Sequence, residues 1–213
     1  MNIPFVGASY KSRSLPFAAQ RCVNLYPESG EDGARTASAL LGTSGMVRFA
    51  TLNGNGGEVR GLLAASTGDL YAVCGTGLYR VTPARVVSRL GTLATSSGPV
   101  RMIDNGVQVA VSDNPNGYVY TISTGAFTRI TDEDWPGAAM IDFLDGYAIG
   151  ITPDSGQFWV TSLYDASDVD ALDFASAEGN PDRLVSLIVD HREVWLFGDR
   201  TVEVWYNSGD ADF

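Results

Sequence analysis

An apolar strand, a tight turn, a second apolar strand, a short gap and an aromatic-rich third strand recur four times between Val59 and Tyr206. The first turns fall at Thr67-Gly68, Asn105-Gly106, Asp145-Gly146 and His191-Arg192, at intervals of 38, 40 and 46 residues. Repetition of a short all-β unit every 40 residues or so is the mark of propeller blades, which pack face to face around an axis. The sequence therefore predicts an all-β fold, a β-propeller of four-stranded antiparallel blades with four blades visible. It spans residues 46–213, behind an extended leader over 1–45.

The second strands are apolar at nearly every position: Leu70-Tyr71-Ala72-Val73-Cys74, Val107-Gln108-Val109-Ala110-Val111, Tyr147-Ala148-Ile149-Gly150-Ile151 and Val194-Trp195-Leu196-Phe197. A sheet with one wet face would alternate polar and apolar residues, so these runs predict strands covered on both sides. The third strands, such as Tyr118-Val119-Tyr120-Thr121-Ile122 and Phe158-Trp159-Val160-Thr161, mix aromatics with single polar residues, and more exposure is expected of them. Asn-Gly and Asp-Gly tolerate the positive φ of two-residue hairpin turns. His191-Arg192 lacks the glycine, so a longer or different turn is expected there.

A fourth, outer strand is legible in the first two units, at Arg85–Leu90 and Phe127–Ile130. In the third its place is taken by the acidic stretch Tyr164–Phe174, and the last unit has none, so the last blade is expected to be incomplete or closed by an N-terminal strand. Met46–Leu52 reads as an outer strand without a blade of its own, able to close a four-bladed ring by pairing with the last blade. The alternative is an open series that forms the first part of a larger propeller, with a sticky edge near Trp205.

No apolar run approaches the roughly 18 residues needed to cross a bilayer, and the N-terminus has no basic region leading into an apolar segment. A soluble, non-exported protein is expected. Two cysteines, Cys22 and Cys74, are too few for a disulfide framework and read as thiols in a reducing compartment. The leader is punctuated by Pro4, Pro16 and Pro27, and its Phe5, Phe17 and Leu25-Tyr26 argue for an arm that packs on its own domain or on a neighbour.

Charge divides the chain. Residues 1–101 carry net +5 and residues 102–213 net −16, for −11 in all. With one lysine and no basic cluster, the chain lacks the row of cations that gripping a phosphate backbone requires, and sequence-specific nucleic-acid binding is not expected. Opposite charge on the two halves suits head-to-tail stacking of copies into a ring, or serves solubility alone.

Chemical constellations are sparse. His191 is the only histidine and sits in a turn, where a Ser-His-Asp triad would be hard to build. Cys and His ligands are too few for a metal centre. Gly54-Asn55-Gly56-Gly57 lacks the Gly-Lys-Ser/Thr of a phosphate cradle. Asp165, Asp168, Asp170 and Asp173 lack the turn glycine and terminal glutamate of an EF-hand, and a solvated acidic loop is the expected state. No cofactor is predicted. The enzymatic alternative is a carbohydrate-active propeller, a glycoside hydrolase or sugar-binding module, with Asp104, Asp142 and Asp190 facing a central funnel. Their recurrence near one phase of the repeat points instead to service of the turns.

The segment Leu184–Gly209, containing Val194-Trp195-Leu196-Phe197-Gly198-Asp199 and Val204-Trp205-Tyr206-Asn207-Ser208-Gly209, resembles the packaged-DNA stabilisation protein, or tail accessory factor, family of short-tailed bacteriophages. Phe158–Leu163, Ala171–Glu178 and Asn180-Pro181-Asp182 fit the same family, and Arg21-Cys22-Val23-Asn24-Leu25-Tyr26-Pro27-Glu28 resembles its leader. The resemblance implies a non-enzymatic tail hub and head-completion protein. Its expected partners are the dodecameric portal, the adaptor ring and other tail proteins. It is expected to self-associate into a ring, a hexamer, and to act in the virion tail or neck after assembly in the host cytoplasm. Members of that family are longer, with further strands after the Trp-Tyr segment, so the chain reads either as a shortened form or as a compact relative. The expected docking residues are Arg21, Asn24 and Tyr26 in the leader and Asp165, Asp168, Asp170 and Asp173 in the acidic loop, whose removal is expected to leave the fold intact.

Overall fold

Alternating side chains in the second strands of the second and third repeats meet two different neighbours, and this accounts for their unbroken apolar runs. The computed structural model describes residues 10–11, 19–20, 22–30, 38–52, 57–177, 179 and 182–209. Among them all regular structure is β, and no helix is long and apolar enough to cross a membrane. The chain divides into two units, Met1–Arg48 and Phe49–Phe213.

The first unit holds two antiparallel pairs. Strand β1 (Tyr10–Lys11) pairs with β2 (Ala19–Gln20), and β3 (Leu25–Ser29) with β4 (Ser38–Gly42). The described residues of the leader thus carry ladders of their own. Arg21 lies outside the described residues, as do Pro4, Phe5, Pro16 and Phe17.

The second unit contains the repeats. Blade 1 is β5 (Val59–Ala64), β6 (Leu70–Cys74), β7 (Gly77–Val81) and β8 (Val87–Thr92). Blade 2 is β9 (Arg101–Asp104), β10 (Gln108–Ser112), β11 (Gly117–Thr121) and β12 (Ala126–Arg129). Blade 3 is β13 (Met140–Leu144), β14 (Tyr147–Ile151), β15 (Gln157–Val160) and β16 (Phe174–Ser176). Blade 4 has three strands, β17 (Leu184–Asp190), β18 (Glu193–Gly198) and β19 (Val202–Tyr206). Every sheet is an antiparallel meander in chain order. The first strands stand side by side, β5 next to β9, β9 next to β13 and β13 next to β17, as inner strands lining an axis do.

Three apolar cores fill the spaces between successive blades. Tyr71, Val73 and Leu78 of blade 1 meet Val109, Val111 and Tyr118 of blade 2. Ala110 and Val119, on the opposite face of blade 2, join Ile141, Ala148 and Trp159 of blade 3. Ile149, Ile151 and Phe158 then turn to Leu187, Val194 and Leu196 of blade 4. Four sheets joined by three such cores form a series with two ends, and the sheets do not close. Close approach between blades has its own residue: a Cβ at Gly91 in β8 would collide with the ring of Phe127 in β12.

Four expectations are corrected. The third strands of blades 1 to 3 are as buried as the second: Leu78, Tyr118 and Phe158 are all at most 2 % exposed, because the next blade covers one face and rings such as Trp159 lie across the adjacent strand at Gly150. His191-Arg192 makes a two-residue hairpin turn like Asp145-Gly146, closed by the Asp190–Glu193 pair, with φ of 51° and 68°. The Arg192 guanidinium helps fix it by donating to Asp145 Oδ2 at 2.7 and 3.1 Å. Met46–Leu52 forms no strand; Phe49 instead lies under the Arg85 guanidinium at the β7–β8 turn, 5.4 Å from the ring centroid. Finally, blade 3 does have its fourth strand, β16, placed after the acidic stretch.

Candidate interaction surfaces

The acidic loop between β15 and β16 is held from both blades it spans. Asp165 Oδ1 accepts from the Ser167 amide at 3.0 Å, the Ser167 hydroxyl at 2.6 Å and Gln108 Nε2 at 3.3 Å, while the Ala166 amide donates to Gln108 Oε1 at 2.8 Å. The Val169 amide donates to Asp132 Oδ2 at 3.2 Å. Burial raises the Asp165 pKa, but the hydrogen bonds from Ser167 and Gln108 outweigh it and leave the carboxyl below its ordinary value. Asp168 Oδ2 accepts from the Ser162 hydroxyl at 2.5 Å, and Asp170 Oδ1 from the Leu172 amide at 2.9 Å. The Asp173 carbonyl accepts from the Val160 amide at 3.1 Å, which joins the loop to the end of β15.

Ala166 and Val169 are buried in the core between blades 2 and 3. The loop is therefore a wedge whose Asp168 and Asp170 face outward, not a freely solvated run, and its removal would open that core. Asp168 and Asp170 are exposed, next to the exposed Leu163, Tyr164 and Leu172. Among the described residues no three His, Cys, Asp or Glu side chains are grouped to hold a metal ion.

In the leader, Asn24 has φ 56° and its carbonyl accepts from the Thr43 amide at 2.9 Å, closing the end of the β3–β4 ladder. Tyr26 pairs across that ladder with Leu41, and both side chains are exposed. The leader residues and the acidic loop belong to different units, each with an exposed aromatic or apolar edge.

The three carboxylates of the glycosidase alternative are used by the scaffold. Asp104 accepts from the Ser66 amide of blade 1 at 2.6 Å and the Gly106 amide at 2.7 Å. Asp142 accepts from the Val189 amide of blade 4 at 2.8 Å and the Phe143 amide at 2.8 Å. Asp190 accepts from His191 Nδ1 at 2.8 Å, which raises the His191 pKa. Asp104 and Asp142 thus tie one blade to the next by backbone amides.

Two polar centres were not foreseen from the sequence. The Arg60 guanidinium donates to the carbonyls of Gly75, Thr95, Ser97 and Gly98 and to Thr95 Oγ1, at 2.7–2.9 Å. The Thr95 hydroxyl donates in turn to Asp113 Oδ2 at 2.7 Å, and Asp113 Oδ1 accepts from the Asn116 amide and side chain. Arg60 thereby fastens blade 1 to the connection into blade 2. Asp182 accepts from the Arg200 amide at 2.8 Å and from the Thr201 amide and hydroxyl, which hold its carboxyl below the usual range. The sequence signal for both is faint: an arginine within a strand and an aspartate two residues before one.

A family model described as bacteriophage P22 Gp10, β-propeller, of the phage stabilisation family, matches residues 1–213. The chain belongs to this family. It is accordingly a phage structural protein built as a β-propeller, as the motif resemblance implied. A search of curated proteins finds no match.

Solved structures agree on the fold of this family member. The computationally designed Ika4 protein superposes with a TM-score of 0.53 at 14 % identity, over 76 % of this chain and 98 % of Ika4. The extracellular domain of the putative one-component system BT4673 from B. thetaiotaomicron gives 0.51 at 15 % identity, over 70 % of this chain and 22 % of its own. PorZ from Porphyromonas gingivalis, a surface component of the type-IX secretion system, gives 0.51 at 10 % identity, over 73 % and 21 %. The chain thus spans about a fifth of the two natural structures, and at these identities the likeness concerns architecture alone.

Proposed function

We propose that this member of the phage stabilisation family is a tail hub and head-completion factor that docks below the portal–adaptor complex and retains packaged DNA, without catalysis. The observation that carries the reading is the family match over residues 1–213. The physical properties of the fold are compatible with it. Blades locked by apolar cores make a stiff spacer, and loops at blade rims can vary to fit partners while the scaffold stays fixed. Copies associate into a ring, a hexamer, in which the surfaces of opposite charge meet, residues 1–101 at net +5 against residues 102–213 at net −16. Arg21, Asn24 and Tyr26 of the leader and Asp168 and Asp170 of the wedge loop supply docking contacts, with Asp165 and Asp173 setting the loop's conformation. The protein acts in the virion after assembly in the host cytoplasm.

The test is reconstitution. DNA-filled heads with portal and adaptor but without this protein are incubated with the purified chain, and nuclease sensitivity of the genome is followed with co-sedimentation of the chain. Protection and co-sedimentation are expected, and both should fall in Asp168→Lys/Asp170→Lys. Heads that leak equally with and without the chain would overturn the reading.

A further inference from the structure

Within the propeller unit, charge is sorted by blade. Residues 130–182, which hold blade 3 and the connections on either side of it, contain twelve carboxylates and no lysine or arginine; residues 70–103, most of blade 1 and the start of β9, contain four arginines and no acid. Arg80 is spent on Asp69, and Arg101 opens an inner strand, which leaves Arg85 and Arg89 exposed at the outer edge of blade 1 with exposed Val86 between them. Arg85 lies over the Phe49 ring and Arg89 donates to Thr92 Oγ1; among the described residues neither pairs with a carboxylate.

The wedge loop of blade 3 is the opposite surface. Exposed Asp168 and Asp170 sit on it, and Asp132, which accepts from the loop at Val169, leads into exposed Glu133 and Asp134. The cations around it are committed: Arg192 to Asp145, Arg129 to Asn116, and Arg183 to Asp154. The loop is also apolar where it meets water. Leu172 is 81 % exposed, and Leu163 and Tyr164 reach over the Gly146 turn with about half of each in solvent. Tyr164 holds φ 58°, a conformation that strains a bulky residue and that here keeps the ring on the surface. Blade 3 has a neighbour on each side, so the rim position of the loop, not the limit of the series, leaves it uncovered.

We propose that, in the ring proposed above, the two faces that meet are this loop and the outer edge of blade 1 of a second copy, with Arg85 and Arg89 against Asp168 and Asp170 and Val86 against Leu172. Charge complementarity selects the occupant: each copy carries both faces, so a head-to-tail contact supplies every loop with its cations and every cationic edge with its acids. Position supports it. The Val81–Val87 and Val160–Phe174 connections are the same one, third strand to fourth, in blades 1 and 3, and in sheets of one meander order they lie at the same end. Joining them brings copies together at equal height, the condition for a ring to close instead of climbing into a filament.

Sedimentation velocity of the purified chain over a concentration series tests this. Association beyond a dimer is expected, and it should weaken as salt is raised to about 1 M, where the screening length is about 3 Å. Asp168→Lys/Asp170→Lys and Arg85→Glu/Arg89→Glu should each weaken it about tenfold or more, because each sets like charges face to face. Mixed in equal amounts the two variants should associate again, since each supplies the charge that the other lacks. Leu172→Lys repeats the first arm if circular dichroism shows that the double aspartate variant does not fold. A chain that stays monomeric, an assembly unmoved by both charge variants, or variants that stay apart when mixed would overturn the contact. If such a chain still protected the genome in filled heads, the hub reading would stand without this contact; a chain that assembles as expected while the heads leak would sink the hub reading alone.

Discussion

Blades 3 and 4 are written in the same apolar pattern and end in opposite states. Phe158 and Trp159 in β15 are 1 % and 2 % exposed, whereas Val204 and Tyr206 in β19 are 47 % and 76 % exposed, although both strands follow an apolar hairpin of the same design. On blade 4 the face toward blade 3 is filled, with Trp205 edge-on to Phe158 at 5.1 Å, while the face away from it is bare. An apolar strand declares that both faces require cover. Whether cover arrives depends on a neighbour that its own residues do not encode.

The sharpest way to break this comparison is to remove one tryptophan from each blade. Trp159 stacks edge-on with Trp135 at 4.7 Å, donates to the Gly137 carbonyl at 3.1 Å and lies over Gly150. Trp159→Ala should cost about 4 kcal/mol, the range for emptying a packed aromatic site. Trp195→Ala should cost less than about 1 kcal/mol in the stability of the isolated chain, since its ring is already partly in water. Denaturant titration at low protein concentration measures both. Equal losses would mean that the bare face is not bare in the folded chain.

What the sequence disclosed and what it withheld follow the same division. Turn spacing and the runs at Leu70–Cys74 and Tyr147–Ile151 located every blade, because period and two-sided burial are properties of local pattern. The fourth strand of blade 3 was hidden because Ala166 and Val169 sit among aspartates and read as loop, although tertiary packing turns them into core. Asp142 sits near the turns but serves the neighbouring blade, at Val189, 47 residues away, a separation that no local motif registers. Arg60 reads as an ordinary strand arginine until the turn at Gly75 and the connection at Thr95 close around it. The acidic composition of the loop was legible, but its anchoring by Gln108, on blade 2, was not.

Interblade amide capture gives the next test. Asp142→Ala leaves the Val189 and Phe143 amides without their acceptor at the junction of blades 3 and 4 and should cost about 2 kcal/mol. Asp142→Asn, which keeps one acceptor oxygen, should cost about half as much. Amide hydrogen exchange should show Val189 losing protection in both variants while β10 and β11 keep theirs. Uniform loss across all blades would show that the series unfolds as one unit and that blade 4 is no looser than blade 3.

Acid separates the wedge loop from the open blade. The Asp165 carboxyl is held below its ordinary value, so the stability it contributes is present above the unfolded carboxylate pKa of about 3.9 and is lost as pH falls through the lower folded value. Asp165→Asn should therefore be less stable than the parent at pH 7 and converge on it toward pH 2–3, a gap read from thermal melts across that range. A gap independent of pH would mean that Ser167 and Gln108 hold the side chain by geometry alone.

The smallest effect is expected at His191, on the bare blade. Its hydrogen bond to Asp190, followed by the attraction of that carboxylate and of Glu193, raises the imidazole pKa. A raised folded value means that its contribution to stability is full below the unfolded pKa of about 6.5 and disappears as pH climbs through the higher folded one. The group is fully exposed, so water and salt screen the pair, and the slope should flatten in added salt. His191→Gln should remove a shallow decline in melting temperature between pH 6 and 8 without altering the acid limb set by Asp165. If the parent shows no such decline, the Asp190–His191 contact is held by the backbone of the two-residue turn.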